Sequence, residues 1–194
     1  MEEDDSMKVL GIVGSARKEG NTEILVREAL DKVRESGGET DIFLVGGKKI
    51  APCDGCHTCH ETDMCKIKDD MQPLFQQMEA ADAIIYGSPV YFHNVSAQIK
   101  AIMDRTFLFL MKMRLKGKVA APILALRRVG AGQTRNLLYG YFIAQGMIPV
   151  RGAIGYGREK GDVLQGVGGG LDISAMEEAR NCGMDIVDML KRLG

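Results

Sequence analysis

Four thiols within a thirteen-residue stretch are the part of this chain best equipped for chemistry. Cys53, Cys56, Cys59 and Cys65 follow the spacing C-x2-C-x2-C-x5-C, while Cys182 stands far away. Thiolates are soft ligands that select zinc, copper(I) or iron–sulfur clusters. Three of them, three residues apart, let one tight loop wrap a bulky cubane, and the fourth closes from the next turn. Two-cluster ferredoxins use a similar run, but there the last cysteine precedes a proline and serves the other cluster. Here the last gap is longer, x5, and no proline follows Cys65. One 4Fe-4S cluster on Cys53, Cys56, Cys59 and Cys65 is the economical reading. Structural zinc is also satisfied by four thiolates, but it usually takes two C-x2-C pairs separated by a longer stretch. A cysteine-liganded redox site, or simply free thiols, would also suit these residue types. With four cysteines present, His57 and His60 are expected to face solvent or to stand behind the ligands. The segment at about 51–70 has few apolar residues and is expected to be mobile without metal. Cys182 lies in an amphipathic stretch beside Met184 and reads as a small core residue.

A second chemical feature is the run 14–22, Gly-Ser-Ala-Arg-Lys-Glu-Gly-Asn-Thr, which follows an apolar strand and opens a helix. Free backbone N–H groups at a helix start, together with the dipole, attract an anion. Ser15, Asn21 and Thr22 add donors, and Arg17 adds a forked cation suited to phosphate. The run lacks the Gly-Lys-Ser/Thr of a nucleoside-triphosphate loop and the second glycine of a dinucleotide turn. Capping by Asn21 or Thr22 is the plain structural explanation, yet capping requires neither the serine nor the arginine. A third feature is residues 87–94, Gly-Ser-Pro-Val-Tyr-Phe-His-Asn. Pro89 fixes the backbone direction, and Tyr91 and Phe92 are consecutive loop aromatics, one of which could lie against a planar ligand such as a flavin. Asn94 is expected to start a helix, and His93 reads as a loop residue rather than a catalyst. The glycine runs at 130–132 and 166–170 are weaker signals: the first suits a close backbone approach to a flat ring, the second a turn.

These loops need elements to position them. Apolar runs at 8–13, 40–45, 82–86, 118–126 and 147–154 read as strands, and amphipathic stretches at 21–36, 94–109, 133–145 and 171–193 as helices. Strands alternating with helices predict an α/β fold with a parallel sheet covered on both faces. Five strands fit the order 2-1-3-4-5, whose ligands sit beyond the carboxyl ends of the strands. The 194 residues form a single expected domain, 1–194, large enough to hold a core without staples. A formal net charge of −1 gives no support for nucleic-acid binding. No apolar run approaches the roughly 18 residues of a membrane span. The acidic start, Glu2-Glu3-Asp4-Asp5, is unlike a secretory signal, so a cytoplasmic location is expected.

Gly14-Ser15-x-Arg17-x-x-x-Asn21-Thr22 and Gly87-Ser88-Pro89-Val90-Tyr91-Phe92 resemble motifs of the NADPH-dependent FMN reductase superfamily. The cysteine set between them, with Asp69-Asp70-Met71 after it, resembles the iron–sulfur flavoprotein branch. The resemblance spans roughly residues 7 to 156. It implies a flavodoxin-like fold, non-covalent FMN, a 4Fe-4S cluster, and a homodimer or homotetramer in which the cluster lies near FMN across a subunit interface. On the match, Ser15, Arg17, Asn21 and Thr22 would hold the FMN phosphate, and Ser88, Pro89, Val90, Tyr91 and Phe92 would flank the ribityl chain and ring. Gly130 and Gly132 would approach the other side of the ring. The implied activity is electron transfer between FMN and the cluster, fed by a redox partner protein or by NAD(P)H. An FMN or quinone reductase without a cluster, a pure electron carrier and a zinc-stabilised FMN-binding regulator are the rival readings. No general base is evident, since the hard chemistry would belong to the cofactors.

Overall fold

The computed structural model describes residues 6–166, 168 and 173–194. In chain order the elements are β1 (Lys8–Val13), α1 (Asn21–Glu35), β2 (Glu39–Leu44), α2 (Thr58–Thr62), α3 (Met71–Ala80), β3 (Ala83–Pro89), α4 (Ala97–Arg105) and α5 (Phe107–Leu110). There follow β4 (Val119–Leu126), α6 (Ala131–Ala144), β5 (Ile148–Pro149), β6 (Ala153–Tyr156), a 3₁₀ turn (Asp162–Leu164) and α7 (Ala175–Leu193). The strands are parallel and run β2-β1-β3-β4, with β5 and β6 both paired to the far side of β4. This is the flavodoxin-like order expected from the sequence, with the fifth strand broken in two.

Pro122 explains the break. Ala120 offers its carbonyl to Val150, so the alternation of a parallel ladder turns residue 122 toward the same side, where proline has no N–H to give. Between the pairs Ala120↔Pro149 and Ile123↔Ala153, three steps on β4 face four on its partner, the signature of a bulge. Gly152 sits so close to β4 that a Cβ there would lie 1.8 Å from the Pro122 carbonyl oxygen.

The central strands are buried on both faces and therefore read as continuous apolar runs. Leu10, Ile12, Ile84, Tyr86 and Leu124 pack under α3, α4 and α6. Val9, Val13, Ala83, Ile85 and Ile123 pack under α1 and α7, where Cys182 is fully buried as expected. Helix α3 is absent from the sequence reading although Met71, Leu74, Phe75 and Met78 supply a full i, i+3, i+4, i+7 stripe. The helix expected at 94–109 is shorter: Ser96, not Asn94, is its N-cap and accepts from Ile99 N–H, and the chain kinks at Thr106. Residues 167 and 169–172, which include part of the second glycine run and the expected start of the last helix, lie outside the described residues. Among the described residues no helix is long and apolar enough to cross a membrane.

Candidate functional site

A cavity of about 340 Å³ opens beyond the carboxyl ends of β1, β3, β4 and β6. Ser15, Arg17 and Thr22 line one side, Pro89, Val90 and Tyr91 another, and Arg127, Arg158 and Lys160 the rest. Gly14 brings the first two loops together: its N–H donates to the Gly87 carbonyl at 2.7 Å, and a Cβ would meet Ile99 Cγ1 at 2.1 Å. Ser96 then ties the Gly14 carbonyl to α4 at 2.7 Å.

Gly20 is the N-cap of α1, and no side chain caps the helix. The first-turn N–H groups and the positive end of the dipole therefore face the cavity mouth without a protein acceptor of that kind. Ser15 is nearly buried, and its hydroxyl accepts from Arg17 N–H at 3.2 Å while its own proton stays available. The one acid of the first turn, Glu23, is engaged by Glu19 N–H at 2.6 Å and by Arg27 at 2.8 Å. Lys160 pairs with Glu19 at 2.8 Å and holds that carboxyl below its usual range through this hydrogen bond and charge. Among the described residues no acid forms a side-chain ion pair with Arg17 or Arg127, while the Asp162 carboxylate accepts from the Arg158 N–H at 2.8 Å. The cavity thus carries a surplus of positive charge at an uncapped helix start, an arrangement that binds phosphate.

Of the other expected ligands, Asn21 also lines the cavity, whereas Ser88, Phe92, Gly130 and Gly132 do not. Asn21 uses both ends of its carboxamide on the loop after β6: Nδ2 donates to the Glu159 carbonyl and Oδ1 accepts from Gly161 N–H, each at 2.8 Å. It neither caps the helix nor offers a free side chain; only its backbone N–H remains at the helix start. Ser88 is fully buried, and its hydroxyl donates to the Pro89 carbonyl at 2.8 Å and accepts from Ser96 N–H at 2.9 Å. It shapes the loop and does not line the cavity. Phe92 is 101% exposed and outside the lining, whereas Tyr91 is 53% exposed and within it. Tyr91 and Asn94 exchange two backbone hydrogen bonds of 3.0 Å, and Phe92 and His93 between them both have positive φ, +50° and +63°. This is the two-residue turn that Asn-Gly normally fills. Gly130 (φ +102°) caps α6 and packs against this turn, where a Cβ would sit 3.0 Å from His93 Cα. Neither Gly130 nor Gly132 lines the cavity. Sequence reasoning missed Arg127, Arg158 and Lys160. Their signal was position: they follow the ends of the fourth and fifth strands, on the ligand side of such a sheet.

The four cysteines lie apart from this cavity, on the long connection between β2 and α3. All four thiols are free; Cys53 and Cys56 are exposed, Cys59 and Cys65 half-buried. Burial pushes the Cys59 thiol up, and its neighbours Cys65, Cys56 and Cys53 push the same way. Gly55 and His57 have positive φ and bend the chain around the set. His57 and His60 are exposed as expected and rest edge-on or tilted against Phe107, His60 with a 5.0 Å centroid distance. Asp54 accepts from Cys56 N–H and pairs with Lys66 at 2.9 Å; the hydrogen bond from Lys66 lowers its carboxyl to about 2.

The connection is tied down at both ends. Lys49 and Asp70 pair through two hydrogen bonds of 2.7 and 3.0 Å, and Asp69 accepts from Ala51 N–H at 2.8 Å. Arg105, at the end of α4, bridges the same two ends. Among the described residues no three ligating groups close on one point as a single ion requires. Four soft thiols on one loop, with the buried Arg105 guanidinium hydrogen-bonded to the Ile67 carbonyl just past Cys65, are a donor set that fits a thiolate-bound cluster. Cys53 also borders a shallow groove of about 440 Å³ formed with Phe107, Tyr141 and Gln145.

Residues 7–159 match the model of the NADPH-dependent FMN reductase family. An iron–sulfur flavoprotein of Methanocaldococcus jannaschii is 39% identical over 95% of this chain and 98% of its own length. One from Methanosarcina thermophila is 39% identical over 74% of this chain and 77% of its own. The crystal structure of a flavodoxin, WrbA-like protein from Agrobacterium tumefaciens superposes with a TM-score of 0.68 at 14% identity, covering 97% of this chain and 99% of that one, a likeness of fold. With the cavity at the sheet's ligand end and the four thiols on the connection to α3, this chain belongs to the NADPH-dependent FMN reductase family, in its iron–sulfur flavoprotein branch.

Proposed function

We propose that this flavin redox protein passes electrons between FMN in the cationic cavity and a 4Fe-4S cluster on Cys53, Cys56, Cys59 and Cys65. The observation that carries the reading is the presence on one chain of an arginine-lined cavity at an uncapped helix start and a separate loop of four free thiols. Ser15, Arg17, Thr22 and the first-turn N–H groups of α1 would hold the phosphate, with Arg127 and Arg158 adding charge. Pro89, Val90 and Tyr91 would flank the rest of the flavin. When bound, FMN exchanges electrons singly or in pairs and the cluster singly, so the protein's share is placement and tuning. The cavity lining contains no cysteine. A homodimer or homotetramer that sets one chain's thiols against the next chain's cavity is the assembly this separation favours. A redox partner protein or NAD(P)H is the proposed electron donor, and the cytoplasm the proposed location.

The family's reductase activity supports a second reading, an NAD(P)H-dependent FMN or quinone reductase without a cluster. Protein prepared without oxygen decides between them. One FMN with about four iron and four sulfide per chain is the expected result. FMN alone, with steady NAD(P)H oxidation, would establish the second reading.

A further inference from the structure

Arg105 is the only cation among the buried described residues. It ends α4, where a cation meets the negative end of the helix dipole. One terminal nitrogen donates to the Ala51 carbonyl at 3.0 Å and to Asp69 at 2.9 Å. The other donates to the Ile67 carbonyl at 3.3 Å and to Asp69 at 3.1 Å. Asp69 in turn accepts from Ala51 N–H at 2.8 Å and Met71 N–H at 3.1 Å. One buried ion pair therefore grips the chain just before Cys53 and just after Cys65. The third nitrogen, Nε, is buried with no hydrogen-bond partner among the described residues. A buried N–H without an acceptor is costly, and a buried pair of charges is rarely retained for stability alone.

We propose that Arg105 is a positioning residue for the cluster: it holds the cysteine loop closed at both ends before metal arrives. The inference rests on the four-thiol reading above. Holding the ends lowers the ordering entropy that cluster binding must overcome.

Removing Arg105 alone would strand Asp69, so the test pairs Arg105→Met with Asp69→Asn, which removes both charges and keeps a carboxamide oxygen for one of the two backbone N–H groups. Arg105→Lys, keeping charge without the fork, is the second variant. Hydrogen exchange of metal-free protein is followed in peptides covering 51–70, with β1 and β3 peptides and FMN binding as controls. The expected result in both variants is loop exchange at least tenfold faster, controls unchanged, and less iron and sulfide taken up on reconstitution. Unchanged loop exchange and unchanged iron content would overturn the proposal. So would faster exchange throughout the chain with loss of FMN, which would make Arg105 a general support. A wild-type chain that takes up no iron or sulfide would overturn the cluster reading instead, and the exchange data would then decide the clamp alone.

Discussion

Replacing Arg17 with Ala isolates the phosphate assignment because the side chain does nothing else. It is exposed, lines the cavity and pairs with no acid among the described residues, so the fold should lose no more than about 0.5 kcal/mol. A charge-assisted contact to phosphate contributes about 1.5–3 kcal/mol. Solvent exposure and the remaining Arg127 and Arg158 place this one near the lower limit, so the dissociation constant should rise about tenfold. Quenching of flavin fluorescence on titration with FMN measures it directly. Riboflavin, which lacks the phosphate, supplies the second arm of a thermodynamic cycle: its affinity should be the same for both proteins. The difference should also shrink on raising salt from about 0.05 to about 0.5 M, since screening weakens exposed charge contacts. An FMN affinity unchanged in Arg17→Ala, or an equal loss for riboflavin, would refute the reasoning.

Four further outcomes are expected. Ser88→Ala should destabilise the protein by about 1–3 kcal/mol, because Ser96 N–H is left buried without an acceptor; denaturant midpoints measure this, and FMN affinity should hold. His93→Gly should gain about 0.5–1 kcal/mol in the same assay, the relief of a left-handed non-glycine residue less glycine's extra chain entropy. Changing any of Cys53, Cys56, Cys59 or Cys65 to Ser should abolish or convert the cluster while FMN remains, because a hydroxyl replaces thiolate poorly on iron; iron and sulfide assays beside the flavin spectrum check it. Burial pushes the Cys182 thiol up to about 12. Metal-free folded protein at about pH 8 should therefore alkylate at the other four cysteines alone, and Cys182 should react only after unfolding.

Much of this was legible in the residues, for identifiable reasons. Strands buried on both faces leave uninterrupted apolar runs, so the sheet and its order could be read directly. The cysteine spacing and the Ser15–Arg17 pair are local patterns and needed no folding to be seen. The partners of Asn21 and Ser88 were not legible because a polar side chain in a ligand loop looks the same whether it faces a ligand or a neighbouring loop. Only the positions of Glu159, Gly161 and Ser96 in space separate the two. Arg105 escaped notice because it sits in a helix far in sequence from the loop ends it grips. Helix α3 went unread beside the cysteines despite its apolar stripe, and Pro73, in its first turn, is tolerated there.

The bulge opposite Pro122 also bears on how the chain survives before it is loaded. The strand segments along β4 form the outer margin of the sheet, covered at Gly155 by a bridge to Gly168, and unbroken margins recruit strands from other molecules. Here the margin is divided into runs of two and four residues, and Arg151, within the interruption, is anchored to Asp185 of α7 at 3.0 Å. A newly made chain awaiting its cofactors therefore presents no continuous template for intermolecular pairing on that side. Restoring an N–H at position 122 and deleting one residue between 150 and 152 would lengthen the ladder and should make the unloaded protein more prone to assemble into insoluble sheets.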